Sequence, residues 1–121
     1  MKSILIIEDE AALQDALKKT FASEGYEVRQ GFDGEEGIAL AREKKPDLVL
    51  LDLVLPKKHG FEVLQAMKQD EALKEVPVLV LTNLEESEEV MKAIELGARG
   101  YLIKANYALK EVLAKAKDIL G

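Results

Sequence analysis

Four short runs of apolar residues recur along the chain: Ile4 to Ile7, Leu48 to Leu51, Val78 to Leu81 and Tyr101 to Ile103. Each is continuous, not alternating, which is the pattern of strands buried on both faces in a parallel sheet covered by helices. A weaker strand fits Glu27 to Gln30. Between the runs, apolar residues recur at helical spacing. Leu13, Ala16, Leu17 and Phe21 fall on one face, as do Leu109, Val112, Leu113, Ala116 and Leu120 near the end. A helix from about Gly34 to Lys44 is ended by Pro46, because proline disfavours helix in the residue before it. Gly60 to Gln69 and Glu86 to Leu96 supply two more, the latter stopped by Gly97 at a C-cap. Strand and helix therefore alternate five times through short connections, with no linker, low-complexity tract or internal repeat.

Strict alternation predicts the α/β class: right-handed crossovers and one doubly wound sheet with helices on both faces. Such sheets place their sites beyond the carboxyl ends of the strands, where strand order reverses. The first strand runs into Glu8-Asp9-Glu10, the third into Asp52, the fourth into Thr82 and the fifth into Lys104. Taken singly, Asp9 also suits the N-cap of a helix beginning near Ala11, Thr82 a strand-ending turn, and Lys104 a solvated surface position. Asp52 is harder to explain by structure alone. It interrupts the apolar run from Leu48 to Leu55, where an acid costs free energy unless a cation or hydrogen bonds compensate. Together the residues make coherent chemistry. Crowded carboxylates repel one another, and a hard divalent cation bound through oxygens relieves the repulsion, with Mg²⁺ the natural candidate. Asp52 then serves as the nucleophile toward a phosphoryl group, Lys104 balances the added charge, and the Thr82 hydroxyl donates to a phosphoryl oxygen.

Composition narrows the setting. With 121 residues, 48% of them apolar, the chain suffices for one core, so a single domain over residues 1–121 is expected, with no effector domain after it. The absence of cysteine excludes a disulfide framework, a thiolate metal site and a thiol nucleophile, and favours a cytoplasmic setting. The first apolar stretch stops at Glu8, too short for a secretory signal or a membrane span. A formal net charge of -6 repels nucleic acid, so a partner protein is expected instead.

The acidic pair Glu8-Asp9, Asp52 followed by Pro56 and Gly60, Thr82 closing the fourth strand, and Tyr101 ahead of Lys104 form a set that runs the length of the chain. In this set the chain resembles a receiver domain of the bacterial two-component response regulators, in the single-domain form typified by the chemotaxis response regulator. The resemblance implies a five-stranded parallel sheet in the order 2-1-3-4-5. It implies that Asp9 and Asp52 ligate Mg²⁺ directly, that Glu8 acts largely through water, and that the Val54 backbone carbonyl completes the protein ligands. The phosphoryl donor would be a phosphohistidine on a sensor histidine kinase or phosphotransfer protein. Phosphorylation would draw Thr82 toward the phosphoryl group and swing Tyr101 inward. A downstream protein would read this population shift on the face made by the fourth helix, fifth strand and fifth helix. A monomer and a phosphorylation-dependent dimer both fit this scheme.

The chain departs from the family pattern at several positions. Alanine, not proline, follows Lys104. A cis bond to alanine costs roughly 2.5 to 4 kcal/mol, against less than about 1 for proline, so the Lys104-Ala105 bond is expected to be either trans in a rearranged loop or strained. Asn83 is bulkier than the small residue common there, and apolar Val54 and Leu84 are expected to exclude the hydrolytic water, giving slow autodephosphorylation. Lys57-Lys58-His59 reads as a solvated basic loop, and a single histidine makes a poor metal ligand. Three other readings compete: a pseudo-receiver that binds a partner without phosphorylation, a haloacid-dehalogenase-like phosphatase, and a flavodoxin-like flavin binder. The phosphatase needs a second aspartate where Val54 stands, and the flavin binder needs a phosphate cradle where Glu8-Asp9 would repel it.

Overall fold

A computed structural model describes residues 1–53, 55, 59–82, 87–103 and 109–121, with residues 82, 87–90 and 103 described by their backbone. Strands β1 (Ser3–Ile7), β2 (Glu27–Gly31), β3 (Leu48–Asp52), β4 (Val78–Thr82) and β5 (Gly100–Ile103) alternate with helices α1 (Ala11–Ser23), α2 (Gly34–Glu43), α3 (Gly60–Gln69), α4 (Ser87–Glu95) and α5 (Leu109–Leu120). All neighbouring strands run parallel, in the order β2-β1-β3-β4-β5. The predicted fold class and strand order are both present. Each strand is one residue longer than its apolar run, because polar residues such as Ser3 and Asp52 extend the ladder without interrupting it.

The continuous apolar strands serve two cores. Ile4, Ile6, Leu48, Leu50, Leu79 and Leu81 face Leu17 and Phe21 of α1 and Val112 and Ala116 of α5. Leu5, Ile7, Val49, Leu51, Val78 and Val80 face the opposite side, against Ile38 of α2, Val63, Leu64 and Met67 of α3, and Ala93 of α4. The weak pattern of β2 has a positional cause: β2 is an edge strand, and its first four residues are only half-buried.

Two helices end as glycine allows. After α1, Gly25 adopts φ +90°, its N–H donates to the Ala22 carbonyl, and the Tyr26 N–H donates to that of Phe21. The two aromatic rings meet edge to face at 5.8 Å, the apolar contact that accompanies this motif. Gly97 ends α4 the same way at φ +103°, as its place in the sequence predicts. Among the described residues no helix is long and apolar enough to cross a membrane.

Candidate functional site

Parallel pairing brings the acids together. Ile7 of β1 stands opposite Leu51 of β3, so the next residues, Glu8 just past β1 and Asp52 on the last rung of β3, lie at the same level. Asp9 follows on the loop into α1. One carboxylate oxygen from each of Glu8, Asp9 and Asp52 lies within 4.8 Å of the others. Glu8 and Asp52 are 1% and 4% exposed, while Asp9 is open to solvent. Two acids in the protein interior beside a third at the surface is a costly arrangement for a chain that uses the site for packing alone.

The spacing suits a small divalent cation. With metal–oxygen distances of about 2.1 Å, two ligands on Mg²⁺ stand about 3 Å apart when adjacent and about 4.2 Å apart when opposite. Three oxygens within 4.8 Å come close to that frame and leave room for a bridging water. The donor set is all oxygen and bears like charges, which favours a hard cation such as Mg²⁺ or Mn²⁺.

The two strands hold their acids by different means. At β3, the first residue of α3 comes down onto the strand end: the Gly60 N–H donates to the Leu53 carbonyl at 2.9 Å. A Cβ on Gly60 would sit 2.4 Å from Leu53 Cα and 2.6 Å from the Asp52 carbonyl oxygen, so only glycine fits. Before it, His59 caps α3 by accepting the Phe61 N–H at Nδ1 (3.1 Å) and stacks on the Phe61 ring, on which Lys92 of α4 also rests. The solvated loop expected at His59 is thus a half-buried helix cap. Sequence reasoning passed over it because histidine is not among the favoured capping residues.

At β1, hydrogen bonds take over. Glu10, not Asp9, occupies the N-cap of α1, and its side chain does not cap the helix. Its backbone N–H instead donates to Glu8 Oε2 at 3.0 Å. Asp9 is left facing its fellow acids and does not serve as the helix cap. Gln14, in the first turns of α1, is fully buried, and its side-chain amide donates to the carbonyls of Ile6, Glu8 and Gly31. Nothing in the hydropathy pattern marks it as special. The available signal was its spacing, since Gln14, Leu17 and Phe21 fall on one helical stripe and are the buried residues of α1.

Of the other predicted site residues, Thr82 closes β4 one step beyond Leu81, the partner of Asp52. Tyr101 lies on edge strand β5 opposite Val80 and is 44% exposed. Val54, Pro56, Lys57, Lys58, Asn83, Leu84, Lys104 and Ala105 lie outside the described residues, as do the expectations about the Val54 carbonyl, the Lys104-Ala105 bond and slow autodephosphorylation.

Comparisons with known proteins converge on one family. The sequence pattern of the response regulator receiver domain matches residues 4–117. The DNA-binding dual master transcriptional regulator RpaA of Synechocystis is 40% identical over 120 residues, covering 99% of this chain and 49% of its own. The alkaline phosphatase synthesis transcriptional regulatory protein PhoP of Bacillus subtilis is 37% identical over 119 residues, covering 98% and 48%. The chain thus spans about half the length of these relatives. Among solved structures, the chemotaxis response regulator CheY4 of Vibrio cholerae superposes with a TM-score of 0.92 at 27% identity, covering 98% of each chain. The Mn²⁺-bound form of the response regulator Rcp1 superposes at 0.84 with 33% identity, covering 98% of this chain and 91% of its own.

Proposed function

From the premise that this chain belongs to the response regulator receiver family, we propose that it is a phosphorylation-controlled signalling module whose phosphoacceptor is Asp52. The observation that carries the proposal is the meeting of a buried Asp52 with Glu8 and Asp9 at one sheet edge, three carboxylate oxygens within 4.8 Å. The Asp52 carboxylate attacks the phosphorus of a phosphohistidine on a sensor kinase or phosphotransfer protein. The bond from phosphorus to the histidine nitrogen breaks, and an acyl phosphate forms on Asp52. Glu8, Asp9, Asp52 and the Val54 carbonyl would hold Mg²⁺, which would supply positive charge to neutralise the phosphoryl oxygens. Lys104 balances the added charge and the Thr82 hydroxyl donates to a phosphoryl oxygen, while Tyr101 follows as the switch. The module acts on itself, and its product is a changed surface for a partner protein, in a cytoplasmic setting.

The delivery of the signal has two forms. In one, residues 1–121 are the whole protein and a separate downstream protein reads the face of α4, β5 and α5. The other is favoured by the match to half of each transcriptional regulator: the chain is the receiver portion of a longer regulator and passes its state to a DNA-binding portion. The phosphoacceptor chemistry is common to both.

Incubation with Mg²⁺ and acetyl phosphate, followed by intact mass, tests the chemistry. The native chain is expected to gain one phosphoryl group, and Asp52→Asn or added EDTA to abolish the gain. No gain by the native chain would leave a pseudo-receiver that binds its partner constitutively.

A further inference from the structure

We propose that Gln14 is a positioning residue for the metal-binding acids, an inference that rests on the phosphoacceptor reading above. The last paired residues of β1 and β2 are Ile7 and Gly31, and beyond them a backbone bond from the Glu8 N–H to the Gly31 carbonyl continues the ladder. Gln14 adds side-chain donors at this strand end, where buried carbonyls need partners. Its Nε2 donates to Ile6 O at 2.9 Å, Glu8 O at 3.1 Å and Gly31 O at 2.8 Å, while the Glu8 N–H donates to the same Gly31 carbonyl at 3.0 Å. A primary amide has two N–H bonds, so three carbonyls share them. The amide orientation is fixed by this setting, because the flipped rotamer would set Oε1 against three carbonyl oxygens. Oε1 itself is buried without a hydrogen-bond partner among the described residues, so the amide contributes to the structure through its donors.

The consequence reaches the acids through the backbone. Glu8 is fixed at its N–H by Gly31, at its carbonyl by Gln14 and at its carboxylate by the Glu10 N–H. Asp9 lies between Glu8 and Glu10, so its Cα is fixed from both sides. Gln30 of β2 ties back to α1 by donating to the Gln14 carbonyl at 3.2 Å. Gln14 donates to backbone carbonyls and not to the carboxylates, and through those carbonyls it sets where β1 leaves the sheet and hence the gap between Asp9 and Asp52. A residue that only stabilised the fold would be interchangeable with Leu17, which is fully buried on the same stripe and contacts no strand-end carbonyl through a polar group.

Two variants separate the roles. Gln14→Met keeps length and removes the donors, whereas Leu17→Ala weakens the same helix contact without touching the carbonyls. Mn²⁺ binding is read from the spectrum of free Mn²⁺ by electron paramagnetic resonance, under conditions where circular dichroism shows each chain folded. Gln14→Met is expected to raise the Mn²⁺ Kd about tenfold, the scale of a lost supporting contact at a metal site. Leu17→Ala is expected to stay within about twofold of native, because it removes none of the donors that hold the Ile6, Glu8 and Gly31 carbonyls. In acetyl phosphate reactions the Mg²⁺ concentration for half-maximal rate should rise in step for Gln14→Met, while the rate at saturating Mg²⁺ stays close to native. If Gln14→Met is too unstable to titrate, Gln14→Asn, which keeps the amide but shortens its reach, is expected to weaken binding in the same sense. An unchanged Kd in the folded Gln14 variant, or an equal loss in Leu17→Ala, overturns the proposal while leaving the phosphoacceptor reading intact. A native chain that binds no Mn²⁺ overturns both.

Discussion

The two rims of the sheet carry charge in opposite ways. At the carboxyl rim, Glu8, Asp9 and Asp52 crowd like charges together, two of them buried. At the amino rim, where the helices end, charges of opposite sign meet in solvent: Lys44 with Glu27 at 2.8 Å, Arg42 with Asp70 at 3.1 Å and Lys117 with Glu24 at 2.5 Å. Exposed pairs of this kind contribute little each and are screened by salt. The amino rim is therefore arranged for modest stability. The carboxyl rim sets stability aside for a site, and the backbone must hold the acids where electrostatics would part them.

The largest effect is expected where that backbone is closest. Gly60→Ala forces a Cβ to within 2.4 Å of Leu53 Cα, and backbone has no rotamer by which to move away. Although alanine is the better helix former, the overpacking should cost about 3 kcal/mol or more. Gly25, near the amino rim, provides the contrast. A Cβ there meets nothing within 4 Å, but φ is +90°. Gly25→Ala should therefore cost only about 1 to 2 kcal/mol, the penalty of the left-handed conformation. Urea unfolding of both variants measures the pair, and an equal cost at the two positions would break the distinction between space and conformation.

Charge removal should act in the unusual direction at the carboxyl rim. Asp9→Asn relieves repulsion in the metal-free chain and is expected to raise its stability by about 1 kcal/mol, as substitutions at strained functional sites commonly do. Mg²⁺ should reverse the ranking. A cation that binds only the folded state adds about 2.7 kcal/mol at one hundred times its Kd, and the variant has lost a ligand. Thermal melts with and without Mg²⁺ decide the matter. A variant less stable than native in EDTA would mean that the acids do not repel one another as their spacing implies.

The carboxyl rim was also the more legible of the two in sequence, and the reason is physical. An acid that interrupts an apolar strand, as Asp52 does, conflicts with burial and so stands out, and alternation of strand and helix then places Glu8, Asp9 and Thr82 at the same edge. The fold followed from the continuous strands for the same reason, since only a sheet covered on both faces buries every residue of Leu48–Asp52. Gln14 and His59 escaped because hydropathy counts a buried polar residue as an exposed one. Gln14 is distinguished by a partner, Gly31, 17 positions away in sequence, which no local window contains, and His59 by a bond from the Phe61 N–H two positions on, made by a residue type not favoured as a cap. The ion pairs of the amino rim were invisible for a related reason: Lys117 and Glu24 are 93 positions apart, and surface charges carry no pattern that selects a partner.

The smallest expected effect lies at the amino rim and has a definite sign with pH. The Ala72 N–H, and after it the Arg42 guanidinium, hold the Asp70 carboxyl below the usual carboxylate range, and a hydrogen bond from Lys44 followed by its charge does the same for Glu27. A group whose pKa is lower when folded binds protons more readily when the chain unfolds. Its contribution is therefore present in full above the unfolded value, about 3.9 for an aspartate, and is lost as pH falls through the folded value. Asp70→Asn keeps an oxygen able to accept from Ala72 but abolishes the titration and the attraction to Arg42. Native and variant should differ modestly at pH 7 and converge as pH falls toward 3 in urea titrations, with the pH 7 gap narrowing in high salt. If the gap instead widened on acidification, Asp70 would be destabilised by its charge as the acids of the carboxyl rim are, and the contrast between the two rims would fail at this position.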